Sequence, residues 1–149
     1  MAKVSNPRKN FQFGIFITGM DQFLAQEVKS ADSEFDVVEH GDTGFMVKTA
    51  GMRKVGTLTV TKIMRSDTLD RFMWNWHKQI LDFATGGGDF PDNYKKHVIV
   101  EEYGPDGQTV IERFEYSGVW PHKINGRDFS RKASENTVEQ IEFCVDEII

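Results

Sequence analysis

Apolar side chains fall at every second position in three separate stretches of this chain, the spacing of a strand with one buried face. Phe11, Phe13, Ile15 and Ile17 share one face of the first stretch, with Gln12, Gly14 and Thr18 on the other. Residues 57–64, Thr-Leu-Thr-Val-Thr-Lys-Ile-Met, alternate likewise and are rich in β-branched side chains. In the last stretch, 137–147, Ile141, Phe143 and Val145 line up on one face. An extended segment at 34–39 and a hairpin of His97 to Tyr103 with Thr109 to Val119 complete the strands. The Gly104-Pro105-Asp106-Gly107 run supplies the hairpin's turn. The period changes once. Leu69, Phe72, Met73, Trp76, Ile80 and Phe83 are spaced by threes and fours, which predicts a helix over 66–84. Ser66 suits its N-cap, Asp67 and Asp70 its first turn, and Gly86-Gly87-Gly88 its stop. The pattern is α+β and mainly β: a small β-barrel or sandwich with one flanking helix and a long extended loop.

At 149 residues the chain fits a single domain over 1–149, with residues 1–9 as a polar N-terminal arm that would take its order from a neighbour. The 18 basic and 23 acidic residues leave a formal net charge of -5, which disfavours general binding to phosphate. Cys144 stands alone, so no internal disulfide and no cysteine-based metal spacing is expected. No run approaches the roughly 20 apolar residues of a membrane span, and no secretory leader precedes the domain, so synthesis in the cytoplasm without membrane insertion is expected.

Residue chemistry points away from catalysis. His40, His77, His97 and His122 are scattered over a loop, a helix, a strand start and the segment after Trp120, without zinc-ligand spacing. No Gly-x-Ser-x-Gly turn occurs, and the triple glycine follows a helix instead of opening one, so it is no phosphate loop. No cofactor, metal or catalytic residue is assigned, and an enzyme is not expected. Glu101, Glu102, Glu112, Glu115, Glu139, Glu142, Asp146 and Glu147 place carboxylates along the strands, read as a solvated face. The stripe Phe72-Trp76-Phe83 reads as core. Its alternative is a small-ligand-binding β-barrel, with Phe72, Trp76 and Trp120 as pocket walls.

Residues 41–56 fit neither pattern. Gly41, Gly44, Gly51 and Gly56 punctuate a stretch that also carries Phe45, Met46, Val47, Lys48, Met52, Arg53 and Lys54. It is long for a connection and too apolar to be disordered. An assembly loop that buries its apolar side chains on a neighbouring subunit accounts for both properties; a ligand lid or an internal hairpin is the alternative.

One family matches many of these pieces in order. Asn10-Phe11-Gln12-Phe13, the stretches 17–19 and 35–41, Gly51-Met52-Arg53-Lys54-Val55-Gly56-Thr57-Leu58, a helix with Phe72 and Trp76, Tyr116-Ser117-Gly118-Val119-Trp120-Pro121-His122-Lys123 and Asn136-Thr137-Val138-Glu139-Gln140-Ile141-Glu142 resemble the contractile phage tail tube proteins. Ala50-Gly51 stands where that family often has Pro-Gly, and Lys62-Ile63-Met64-Arg65 where it often has a Lys-Arg-Gly turn.

The resemblance implies a structural protein of the virion tail that forms six-membered rings, stacked into the inner tube through which DNA is ejected. The implied partners are further copies of the chain, a tail sheath protein, baseplate and tail terminator proteins, with DNA passing the lumen unbound. The inner tube of an extracellular or type VI injection system carrying protein effectors is the alternative within the same architecture. On this view Phe45, Met46 and Met52 are apolar anchors between subunits. Lys48, Arg53 and Lys54 then meet acidic groups of the next ring, and Glu101, Glu112 and Glu115 face the lumen.

Overall fold

The computed structural model describes residues 12–20, 23–65, 70–81, 85–127, 129–132 and 137–149. Its longest strand, β7 (Val110–Ile124), organises the rest, because its two halves have different neighbours. Up to Val119 it pairs with β6 (Lys96–Tyr103), and from Trp120 it pairs with β8 (Val138–Cys144). Gly118, with φ of 65°, lies just before the changeover, and the pairing on either side slips at Lys96/Val98 and Pro121/Lys123. Such bulges bend a strand and increase its twist. The sheet therefore folds over at β7 into two leaves.

Beyond β6 lies β1 (Phe13–Ile17), and beyond β8 come β5 (Leu58–Ile63) and β2 (Ala25–Lys29), giving the order β1-β6-β7-β8-β5-β2. The short β9 (Glu147–Ile148) pairs with β7 at Tyr116 and Ser117. All these pairings are antiparallel. The sheet does not close: β1 and β2 end the path, and a cavity of about 750 Å³ lies beside them, lined by residues that include Phe13, Val28, Val100 and Phe114. The barrel or sandwich expected from the sequence is a folded, open sheet.

The alternating strands bury the faces their spacing predicts. Ile15, Ile17, Val98, Val100 and Tyr116 from one leaf meet Leu58, Val60, Ile141 and Phe143 from the other in one core. Each such side chain contributes about 1.5–3 kcal/mol on leaving water. Helix α1 (Phe72–Ile80) adds Met73 and Trp76, and the Trp76 ring centroid lies 5.6 Å from that of Phe143. The Trp76 indole N–H donates to the Tyr94 carbonyl at 2.6 Å, and His77 Nδ1 donates to the Pro121 carbonyl at 2.8 Å. The aromatic stripe is thus core where it is described, not the wall of an open pocket.

The helix is shorter than its apolar stripe. It begins after Arg71, which makes no side-chain cap, and ends where Leu81 turns extended and bridges Gly88. Ser66, Asp67, Leu69 and Phe83 lie outside the described residues, as do 1–9. Asp70 lies ahead of the helix, paired with Lys62. The solvated-face reading fails at Glu139. It shares the inward parity of Ile141 and Phe143 and is 1% exposed. The short helix α2 (Pro91–Tyr94) and strands β2 and β9 were not expected from the sequence.

Candidate assembly surface

Between β2 and β5 the chain leaves the sheet and returns as a hairpin of its own. Among the described residues, strands β3 (Ser33–Asp42) and β4 (Phe45–Val55) pair only with each other, from Ser33 opposite Val55 to Asp42 opposite Phe45. The turn runs through Thr43 and Gly44, whose φ of 82° suits glycine. The stretch 41–56 is therefore an ordered strand with its turn, and the projecting unit starts earlier, at Ser33.

Register fixes what each face of this arm carries. Phe35, Val37, Met46, Lys48 and Arg53 share one face, while Asp36, Val38, Phe45, Val47, Met52 and Lys54 share the other, with a bulge between Phe35 and Val37 absorbing one residue of β4. Both faces are apolar, and both are open. Phe45 is 60%, Met46 57% and Met52 77% exposed, and Phe35, Val37 and Val38 are exposed as well. An isolated two-stranded ribbon is marginally stable in water, so an ordered ribbon with two apolar faces is built to be covered.

The arm's cations are engaged within the arm. Lys54 Nζ lies 3.0 Å from Asp36, Lys48 Nζ 4.0 Å from Glu39, and Arg53 Nε donates to Ser33 Oγ at 2.9 Å. The hydrogen bond and charge of Asp36 raise the Lys54 pKa above its ordinary value. These pairs hold the two strands in register. They are also solvent-exposed, hence weak and exchangeable for partners on another chain.

The three lumen candidates do not share a face. Glu101 stands opposite Arg113, and Glu115 opposite Ile99, on the side turned away from the core. Glu115 lies 3.4 Å from both His97 and Arg113. Glu112 stands opposite Glu102, on the face that carries Val100 and Tyr116 inward. Its three-residue distance from Glu115 along one strand already separates them.

Sequence reasoning did not single out the two free edges. Among the described residues, β1 has β6 on one side only, and β2 has β5 on one side only. Open edges present unpaired backbone groups that a neighbouring chain can complete.

Comparison with known proteins agrees with this arrangement. The family described as T4-like virus tail tube protein gp19 matches residues 9–149. The tail tube protein gp19 of Enterobacteria phage T4 is 29% identical over 118 residues, spanning 75% of this chain and 72% of that protein, and that of phage T6 is 28% identical over the same length. Among solved structures, the tube-terminating cap of the anti-feeding prophage superposes with a TM-score of 0.82 at 21% identity, over 100% of this chain and 93% of the other. A chain of the sheath-tube complex of an extracellular contractile injection system gives 0.79 at 18%, over 98% and 92%. Hcp1 from Flavobacterium johnsoniae gives 0.60 at 11%, over 92% of each. The chain belongs to the T4-like virus tail tube protein gp19 family.

Proposed function

We propose that this inner-tube protein, a structural component of the virion tail, assembles into six-membered rings. These stack head to tail through the β3–β4 arm. The observation that carries the reading is the arm itself: an ordered ribbon whose two apolar faces are both uncovered in the single chain. A heterologous contact closes a ring when its rotation closes, and a second, axial contact then propagates without limit. The open edges of β1 and β2 suit the first contact and the arm the second. Phe45, Met46 and Met52 anchor the arm on the next ring, while Lys48, Arg53 and Lys54 exchange their partners in the arm for acidic groups there. The N-terminal residues 1–9 join the same axial contact.

A sheath outside, with a baseplate and a terminator at the ends, completes the assembly. DNA is the cargo. The face bearing Glu101 and Glu115 lines the lumen, where carboxylates repel phosphate and keep the genome from adhering; Glu112 belongs to the other side of the sheet. Negative-stain electron microscopy across concentration and salt tests the reading. Six-fold rings and hollow tubes are expected. A uniform field of monomers at every concentration overturns it.

A further inference from the structure

The motif around Tyr116 lies far from the tip of the arm, yet Tyr116 touches the arm's root. Its ring is fully buried in the core between the leaves. Its hydroxyl leaves the core to hydrogen-bond the Ala31 backbone and the Ser30 side chain, the residues that lead from β2 into β3. On the returning strand, the Gly56 N–H donates to the Asp32 carbonyl at 2.8 Å, and a side chain at Gly56 would press on Asp32 at 3.2–3.3 Å. Ala31 and Val55 pack on the edge of the core. The neck of the arm is thus narrow: two apolar side chains, one strand-to-strand clasp and one buried phenol.

Beyond that neck the arm, among the described residues, pairs only with itself. A projecting ribbon of ten- and eleven-residue strands turns a small change of angle at its root into a large displacement at its tip. We infer that Tyr116 is a positioning residue for tube assembly: its hydroxyl sets the angle at which the arm leaves the sheet, and so aligns Phe45 and Met52 with their seats on the next ring. Assembly depends on this because subunits bind with far less loss of conformational freedom when the contact is preorganised. The ring of Tyr116 serves the core and its hydroxyl serves the arm, so the two roles separate experimentally. The inference rests on the arm being the axial contact.

The test compares Tyr116→Phe, Ser30→Ala and the arm variant Phe45→Asp/Met52→Asp with the parent chain. Three quantities are read on the full chain: hydrogen exchange of the Ala31, Asp32 and Gly56 amides in the unassembled state, thermal midpoint, and critical concentration for tubes. Tyr116→Phe is expected to speed exchange at the neck at least several-fold and to raise the critical concentration about tenfold or more, with the arm strands still paired and the midpoint within a few degrees of the parent. Ser30→Ala is expected to move the same readouts less. Unchanged neck exchange, or an unchanged critical concentration in Tyr116→Phe while the arm variant fails to assemble, overturns the positioning role and leaves the arm as the axial contact. An arm variant that assembles normally overturns both.

Discussion

Lys62 of β5 and Glu139 of β8 stand directly opposite each other, both 1% exposed, inside a fold that is otherwise apolar at that level. Lys62 Nζ pairs with Asp70 and lies 5.7 Å from the centroid of the Phe23 ring, and Trp74 hydrogen-bonds Glu139. One Glu139 oxygen is buried with no hydrogen-bond partner. Two carboxylates around one ammonium tie the segment before α1 to the sheet, and removing the cation leaves the buried Glu139 and the largely covered Asp70 without the positive charge they share. Lys62→Met is therefore expected to destabilise the chain by about 3–5 kcal/mol, the range for breaking a buried pair. Urea unfolding measures it, and a loss below about 1 kcal/mol would show that the cluster carries no net stability.

Two carboxylates give the chain opposite responses to pH. Burial, outweighing the attraction of Lys62, raises the Glu139 pKa above its ordinary 4.5. The folded state then binds more protons than the unfolded one, so this contribution is full below 4.5 and is lost as pH rises through the raised value. Asp106 behaves in reverse. Its hydrogen bonds to Thr109 and Gln108 lower its pKa from 3.8 to about 2, so its contribution is present above 3.8 and is lost as pH falls toward about 2. Glu139→Gln should flatten the decline of stability above 4.5, and Asp106→Asn should flatten the acid limb. Urea midpoints followed across pH for each variant check both directions.

Gly118 carries a positive φ of 65°, and a Cβ placed there would fall on the Asp146 side chain, which itself pairs with Lys95 at 2.6 Å. Gly118→Ala combines backbone strain with a clash at the fold of the sheet. It is expected to cost about 1–3 kcal/mol. Replacing Asp146 with Ala removes the carboxylate part of the clash but leaves the residue's Cβ, 2.6 Å from the new methyl, together with the strain. The double variant Gly118→Ala/Asp146→Ala should therefore recover part of the loss, and a thermal double-mutant cycle isolates the carboxylate's share.

Where one face of an element is buried, the sequence states it openly. Ile15 and Ile17, Leu58 and Val60, and Ile141 and Phe143 announce their strands because the core selects apolar residues at alternate positions. The arm follows another rule. With apolar residues on both faces and glycines between them, β4 shows no alternation, and it reads as a loop although its bulk of exposed hydrophobics is legible. β2 is hidden for the opposite reason: an edge strand with a bulge between Ala25 and Glu27 buries too little to leave a pattern. Parity alone places Glu139 with Ile141 and Phe143, and sets Glu112 against Glu115. Composition, taken without phase, obscured both. The root contact from Tyr116 to Ser30 and Ala31 joins residues 85 or more apart in the chain, and no local pattern signals it.

The arm tests whether apolar burial or charge drives stacking, and magnitudes separate them. Phe45 and Met52 are more than half exposed in the single chain, and each would contribute about 1.5–3 kcal/mol on burial in a neighbour. Losing both amounts to about 3–6 kcal/mol, or roughly 10²–10⁴ in the critical concentration for elongation. The cations start from engaged pairs with Asp36 and Glu39, so stacking would exchange one exposed ion pair for another, with little net change. Phe45→Asp/Met52→Asp is therefore expected to abolish tubes at concentrations where the parent polymerises, with the thermal midpoint of the monomer unchanged. Lys48→Ala/Lys54→Ala should only shift the salt dependence of assembly. Tube length by electron microscopy and pelleting over a concentration series reads both variants. If the lysine pair proved the more damaging and added salt dissolved parent tubes, charge would govern the axial contact and the apolar anchors would be secondary.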